Sequence, residues 1–275
     1  MRLIAFGGDE RLSGALDAAR ARGWETLHVR AQEDAQGLGG ADAVLLPWPR
    51  SFEAETLLGG SLGRAETFSA IPACRAALLG SDVRAQEVPQ AGMAVLPGKD
   101  ETFLLKNAAL TAEGALFAAH ARTGRALLGR SCLVTGFGRI GRALVARLTA
   151  MEAFVVVCAR SEAQMRLAHG MGAHPVPMHA LTAACAQTEL VFNTVPARVL
   201  DEEALSALRG HAQVIELASA PYGADPELAQ HLGVPMAIES GLPGRFAPVD
   251  AGAALFEALE RAMNAEQGGE QHGGA

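Results

Sequence analysis

The segment Gly136-Phe137-Gly138-Arg139-Ile140-Gly141 constrains this chain more than any other. It directly follows the apolar run Cys132-Leu133-Val134-Thr135 and opens a helical pattern from Arg142 to Met151. Strand, glycine turn and helix in that order begin a βαβ unit, the context in which G-x-G-x-x-G reads as a dinucleotide fingerprint. Each glycine has a mechanical task. Gly136 allows the tight turn, Gly138 lets a pyrophosphate approach the backbone, and Gly141 lets the helix pack close to the strand. The first N–H groups of the helix have no intrahelical partner and carry partial positive charge, so Phe137, Arg139 and Ile140 complete a phosphate-binding turn. Arg139 is placed to stack on an adenine or to add charge.

Alternation of short apolar runs with helical spacing extends through the whole chain. In the first hundred residues it predicts strands at 3–6, 26–29, 43–46 and 93–96, with helices over 10–22 and 72–79. A long helix over 107–123 follows. From residue 131 strands are expected at 132–135, 154–158, 190–193, 214–217 and 234–238, with helices at 139–151, 162–171, 201–208 and 226–231. The fold class this order implies is α/β: two Rossmann-like, doubly wound parallel-sheet domains with a cleft between them. Residues 1–105 form the expected substrate and catalytic domain, 106–130 a crossover helix and linker, and 131–248 the nucleotide domain. An amphipathic helix over 249–264, within a segment ending at 265, is expected to return to the first domain. The Gly-rich, polar residues 266–275 read as a disordered tail.

With 275 residues, 49% hydrophobic, the chain can bury two cores. Its net charge of −7 argues against a nucleic-acid partner. No apolar stretch is long enough to span a membrane, and Met1-Arg2-Leu3-Ile4 runs straight into a strand, so a cytoplasmic location is expected. Cys74, Cys132, Cys158 and Cys185 show no zinc spacing and read as reduced, buried thiols; no metal is expected. Of 23 basic residues only Lys99 and Lys106 are lysine.

About twenty residues beyond the glycine turn, an NAD site usually has an acidic residue to accept from the ribose 2′-OH. Here Arg160-Ser161 stands in that place. Arginine pairs bidentately with a 2′-phosphate and serine can donate to it, so NADP(H) is the expected cofactor; the alternative is a solvated strand end. Asn193-Thr194-Val195-Pro196 ends a later strand, where Asn193, Thr194 and Pro196 read either as ribose or nicotinamide contacts or as an Asx turn before proline. Glu216-Leu217-Ala218-Ser219 ends the next strand, and Leu217, Ala218 and Ser219 share that logic. Gly241, Leu242 and Pro243 form a compact turn with Gly244, followed by Arg245, a candidate substrate cation. At the end of the first strand, Gly8, Asp9 and Arg11 read as a substrate-binding turn that glycine opens to a ligand, or as a plain turn with an Asp9 N-cap. On the long helix Asn107 and Thr111 share a face with Gly114, and Lys106 and Glu113 supply a cation and a carboxylate. His120 and His179 have no visible partner and read as structural or exposed.

Together these segments resemble the A subunits of dipicolinate synthase. The resemblance rests on Gly7-Gly8-Asp9 with Arg11, Asn107 to Gly114 (NAALTAEG), Val134 to Gly141 (VTGFGRIG), Ala159-Arg160, Asn193-Thr194 with Pro196, Leu217-Ala218-Ser219 and Gly241 to Gly244. It covers most of the chain, in order, to about residue 263. Two positions depart from the family pattern: Glu216 stands where aspartate is expected, and Tyr222-Gly223 replaces a more glycine-rich stretch. The resemblance implies a pyridine-nucleotide oxidoreductase of sporulation, acting in the mother cell. Its substrate would be the dehydrated form of the cyclic aldol product of the lysine pathway, oxidised to pyridine-2,6-dicarboxylate with NADP+. A small dicarboxylate calls for cations, for which Arg11, Lys106 and Arg245 are the candidates. Lys106 or Glu113 is the candidate base, and Arg11 completes the expected catalytic set. The family also implies a flavoprotein-like partner, the B subunit of the synthase, and a homo-oligomer is expected. Two rivals stay open: a two-domain dehydrogenase of alanine dehydrogenase or 2-hydroxyacid type, and a nucleotide-binding scaffold without turnover.

Overall fold

The computed structural model describes residues 1–208 and 210–270. It divides into two compact units, Met1–Asn107 with Pro243–Ala275, and Ala108–Leu242. In the first unit β1 (Arg2–Phe6), α1 (Glu10–Ala21), β2 (Glu25–Val29) and β3 (Ala43–Leu45) are followed by a small antiparallel hairpin, β4 (Phe52–Glu53) and β5 (Thr56–Leu57). Then come α2 (Arg64–Ala70), β6 (Cys74–Leu78), β7 (Ala91–Val95) and α3 (Glu101–Thr123), which carries the chain into the second unit. The five main strands pair in parallel in the order β2-β1-β3-β6-β7. This is one of the two common doubly wound orders, with its switch point between β1 and β3.

The second unit runs β8 (Ser131–Thr135), α4 (Arg139–Ala150), β9 (Phe154–Ala159), α5 (Glu162–Gly170), β10 (His174–Pro177) and α6 (Leu181–Cys185). It continues through β11 (Leu190–Asn193), α7 (Glu202–Leu208), β12 (Gln213–Glu216), α8 (Pro226–His231) and β13 (Met236–Ile238). The six strands are parallel in the order β10-β9-β8-β11-β12-β13, the dinucleotide-binding order, which reverses between β8 and β11. Central strands are apolar without alternation because both faces are covered by helices; Cys132, Leu133, Val134, Leu190, Val191 and Phe192 are all 0% exposed.

After the short helix α9 (Leu242–Phe246), α10 (Pro248–Glu270) packs along α1. Leu12, Leu16 and Ala19 share one core with Leu255, Phe256 and Leu259, and Trp24 meets the Phe256 ring edge-on with centroids 5.3 Å apart. Glycines set the separation of the two helices. A Cβ on Gly252 would lie 2.0 Å from the Arg11 carbonyl oxygen and 2.5 Å from the Ala15 nitrogen, and one on Gly14 2.8 Å from Val249 Cα.

Three expectations need correction. Residues 72–79, expected as a helix, hold strand β6 instead, the preceding helix α2 having ended at Ala70: Ala76, Ala77 and Leu78 are fully buried between β3 and β7. A short Ala/Leu run favours helix by propensity, but pairing on both sides overrides it. Gly241 to Gly244 is not a free turn, because Leu242, Pro243 and Gly244 already belong to α9. The tail expected to be disordered from residue 266 continues α10 to Glu270, while 271–275 lie outside the described residues. Among the described residues no helix is long and apolar enough to cross a membrane. The four cysteines are free thiols; burial raises Cys132 and Cys185 to about 12 and Cys74 and Cys158 to about 11, which keeps them in the unreactive thiol form.

Candidate functional site

The glycine turn sits at the C-terminal end of β8, beside the switch point of the second sheet. Its glycines face different surroundings. Gly136 has φ +85°, and a Cβ there would lie 2.7 Å from both Thr194 Oγ1 and Val195 Cγ2. A Cβ on Gly141 would lie 2.3 Å from the Gly136 carbonyl oxygen. Both glycines are therefore demanded by protein packing. Gly138 differs: it is exposed, extended at φ −81°, and a Cβ there would meet nothing within 4 Å. Gly138 is also the N-cap of α4 and supplies no side-chain cap, so the first N–H groups of a twelve-residue helix open toward that space. An open backbone at an uncapped helix N-terminus fits a dinucleotide pyrophosphate. Phe137 is 1% exposed, so its side chain belongs to the core; the Arg142 guanidinium lies 5.7 Å from its ring centroid. Arg139 is exposed and Ile140 half-buried.

Arg160 directly follows β9 and is exposed, with no hydrogen bond or ion pair among the described residues. Ser161 has a structural task that the sequence did not announce. It is the N-cap of α5, its hydroxyl oxygen accepting from the Gln164 N–H at 3.2 Å. The hydroxyl proton stays available to a ligand.

Three adjacent strand ends are tied together beneath the turn. The Thr135 hydroxyl donates to Asn193 Oδ1, which also accepts from the Val195 N–H at 3.2 Å. Asn193 Nδ2 donates to the Val195 carbonyl at 2.9 Å and to Glu216 Oε1 at 2.6 Å. Glu216 Oε1 accepts a second bond from the Ala218 N–H at 2.9 Å, and Oε2 accepts from the Gly223 N–H at 2.8 Å. Asn193 and Glu216 are 0% exposed. The Asn193 amide thus forms the Asx turn, with its donors and acceptor committed inside the protein, and presents nothing to a ligand. Thr194 is half-buried, and its hydroxyl donates to the Thr135 carbonyl at 2.8 Å; Pro196 is exposed. Leu217 and Ala218 are half-buried, Ser219 exposed. Burial pushes the Glu216 carboxyl above the usual carboxylate range, against the pull of Asn193 and the Gly223, Ala218 and Ala224 N–H groups.

In the first unit the turn after β1 is sealed, and this corrects the expectation that its glycines open it to a ligand. A Cβ on Gly7 would lie 2.4 Å from the Leu58 carbonyl oxygen, and one on Gly8 2.6 Å from Leu12 Cδ2. The Gly8 N–H donates to the Leu58 carbonyl, so residues following the β4–β5 hairpin occupy that space. Both residues have positive φ, +59° and +80°, which independently requires glycine. His28, unremarked in the sequence, places Nε2 2.6 Å from the Gly7 carbonyl; burial holds its pKa below the usual value, despite that carbonyl's favouring the charged form.

Asp9 caps α1 and grips Arg11: Nε lies 2.9 Å from Oδ1 and Nη2 2.8 Å from Oδ2. Burial pushes the Asp9 carboxyl up, but the hydrogen bonds and charge of Arg11 outweigh it and hold it below the usual range. Gly244 packs on the same guanidinium, a Cβ there falling 2.8 Å from Arg11 Nε, so residues 9, 11 and 244 do come together. Among the described residues Arg11 Nη1 makes no hydrogen bond. Arg245 is exposed and lies over the Phe246 ring at 5.3 Å.

Along α3, Lys106 is ion-paired with Glu257 of α10, and Glu113 with Arg147 of α4 at 2.7 Å. Asn107 is half-buried, while Thr111 and Gly114 are buried. His120 Nδ1 lies 2.8 Å from the Leu116 carbonyl, and His179 is exposed. Among the described residues no cluster could hold a metal ion. Sequence reasoning missed Thr135 and the burial of Glu216. The available signal was a hydroxyl and a carboxylate interrupting apolar strands at matching ends.

Residues 104–233 match the family described as D-isomer specific 2-hydroxyacid dehydrogenase, NAD binding domain. The dipicolinate synthase A subunit of Bacillus subtilis (strain 168) is 31% identical over 165 residues, which are 59% of this chain and 56% of that protein. The chain therefore aligns with little more than half the length of this curated relative. Among solved structures, the dipicolinate synthase A subunit from Bacillus halodurans superposes with a TM-score of 0.80 at 23% identity, covering 95% of this chain and 97% of that one. Its counterpart from Bacillus subtilis gives 0.80 at 22% identity, covering 98% and 97%. The chain is thus an α/β protein with two Rossmann-like domains that resembles the A subunits of dipicolinate synthase. Its second unit contains most of the residues that are similar to the NAD binding domain of the D-isomer specific 2-hydroxyacid dehydrogenases.

Proposed function

We propose that the protein is an NADP-dependent oxidoreductase that completes dipicolinate formation in a spore-forming bacterium. The cofactor half of this reading is supported by the open backbone at Gly138 and by the exposed Arg160 after β9, which has no partner among the described residues. Arg160, with the Ser161 hydroxyl proton, would hold the 2′-phosphate, and the N-terminus of α4 the pyrophosphate. The substrate half is supported by the likeness to the A subunits of dipicolinate synthase.

The reaction needs 4-hydroxy-tetrahydrodipicolinate to lose water and the resulting dihydropyridine to lose a hydride and a proton. NADP+, when bound, takes the hydride, and aromatisation of the ring drives the step. What this chain must supply is orientation and a proton acceptor. Asp9 fixes the plane of Arg11, so that Nη1 can be offered to one substrate carboxylate, with Arg245 a second cation. Glu113 is the better base of the two candidates. Lys106 is engaged by Glu257 and is read as a cation.

The purified protein is expected to bind NADPH more tightly than NADH, and Arg160→Ala to bring the two affinities within about threefold. Titration calorimetry with each nucleotide checks this; equal affinities in the wild type, or a preference untouched by the substitution, would remove the NADP assignment. Supplying the aldol product and NADP+ should produce both the reduced nicotinamide and the aromatic pyridine absorbance. The assay is run with and without the flavoprotein-like B subunit of the synthase, the proposed partner. Silence in both arms favours a scaffold role. Oxidation of a D-2-hydroxy acid instead would favour the reading suggested by the family match over 104–233.

A further inference from the structure

Glu216 is a carboxylate with 0% exposure and, among the described residues, no cationic partner. Its charge is met by donors: the Asn193 amide and the Ala218 N–H at Oε1, the Gly223 N–H at Oε2, and the Ala224 N–H beside them. The bonds reach Asn193, at the end of β11 where the 194–196 loop begins, and the 217–224 loop after β12. A buried charge with this donor set is costly to remove or neutralise, because each donor would lose its acceptor inside the protein.

The arrangement has direction. The Asn193 amide has two orientations of nearly the same shape, and only one places Nδ2 against a carboxylate. In that orientation Oδ1 accepts the Thr135 hydroxyl and the Val195 N–H, and Nδ2 also donates to the Val195 carbonyl. Val195 is thereby held by both its N–H and its carbonyl. Val195 Cγ2 and Thr194 Oγ1 are the atoms that press on Gly136, each 2.7 Å from where its Cβ would lie. The line of contact runs from Glu216 through Asn193 to residues 194–195, and from there to the turn whose open member is Gly138.

We propose that Glu216 is a positioning residue for nucleotide binding: its buried carboxylate fixes the Asn193 amide and so holds the 194–195 loop against the Gly136–Gly141 turn. This rests on the reading of that turn as a nicotinamide-dinucleotide site. Glutamine at 216 keeps the volume but turns one end of the side chain into a donor. That end must face either Asn193 Nδ2 with the Ala218 N–H, or the Gly223 N–H. Aspartate keeps the charge and withdraws it by one methylene.

The test is titration of NADPH into wild type, Glu216→Gln and Glu216→Asp, with thermal unfolding of each apoprotein measured in parallel. Glu216→Gln is expected to weaken NADPH binding by about tenfold or more, and Glu216→Asp by a smaller factor, the value of one to two charge-assisted hydrogen bonds. A purely structural role would lower the unfolding temperature and leave affinity unchanged, and that result overturns the proposal. If Glu216→Gln does not fold, Thr135→Val takes its place, removing only the hydroxyl donated to Asn193. It is expected to weaken NADPH binding by about threefold or more, and unchanged affinity again overturns the proposal. A wild type that binds neither NADPH nor NADH overturns the reading of the turn and this proposal with it. A wild type that binds while the folded variants bind equally well overturns this proposal alone.

Discussion

Alanine at position 138 is expected to leave the apoprotein folded and to weaken dinucleotide binding by about a hundredfold or more. The two effects separate because a Cβ on Gly138 meets no protein atom within 4 Å, and φ −81° suits any residue. The only intrinsic penalty is at the helix N-cap, where alanine is poorer than glycine by about 0.5–1 kcal/mol, or about 1–4 °C. The methyl instead occupies the space needed by the pyrophosphate, holding it away from the N–H groups of α4. Gly141→Ala is the contrasting case. Its Cβ would stand 2.3 Å from the Gly136 carbonyl oxygen, so both the unfolding temperature and the affinity should fall. Calorimetric titration with NADPH and thermal unfolding of both variants check the pair. If Gly138→Ala binds as wild type does, the open face of the turn is not where the phosphates lie.

Alanine at position 252 should destabilise the first unit by about 3 kcal/mol or more, lowering its unfolding temperature by about 6–12 °C. Two effects oppose each other here. Alanine is the better helix former by about 1 kcal/mol, which alone would stabilise α10. Against it stands a Cβ 2.0 Å from the Arg11 carbonyl oxygen and 2.5 Å from the Ala15 nitrogen. These are backbone atoms of α1 and cannot rotate aside, so the helices must separate and loosen the contacts of Leu12 and Leu16 with Leu255 and Leu259. Sterics wins. Differential scanning calorimetry is the measurement, and an unfolding temperature within about 2 °C of wild type would show that the α1–α10 approach is looser than described.

Much of the second unit was legible in the sequence because each of its signals is local. Leu190–Asn193 is a bare apolar run closed by a polar residue, and Pro226–His231 opens on an Asp225 cap with proline in the first turn. The residues of the glycine turn are contiguous, so their tasks could be assigned from spacing alone. Other features depend on partners distant in sequence. Nothing within 72–79 says that β3 and β7 flank it. Nothing near Gly7 and Gly8 reveals that residues 57–58, some fifty positions on, fill the space that glycine leaves. That difference separates two turns of similar appearance: around Gly138 the protein leaves space, and around Gly7 it fills it.

The site divides in the same way. Arg160 is exposed at a strand end, where position alone suggests its use. Asn193 looked like an equally good ligand contact, and the sequence alone could not show that Thr135, Val195 and Glu216 consume its amide. Arg11 was recognised as a cation for a carboxylate, but Asp9, two residues away, already holds part of it.

The packing of α10 on α1 also bears on the order in which the protein can be completed during synthesis. The second sheet draws all its strands from one uninterrupted stretch, residues 131–238. The first unit is split, its opening 107 residues emerging from the ribosome long before the helix that covers Leu12, Leu16 and Ala19. A nascent chain that has reached residue 242 has every strand of the second sheet, while the apolar side of α1 still waits for its cover. Of the two units, the one whose synthesis begins earlier is therefore finished later.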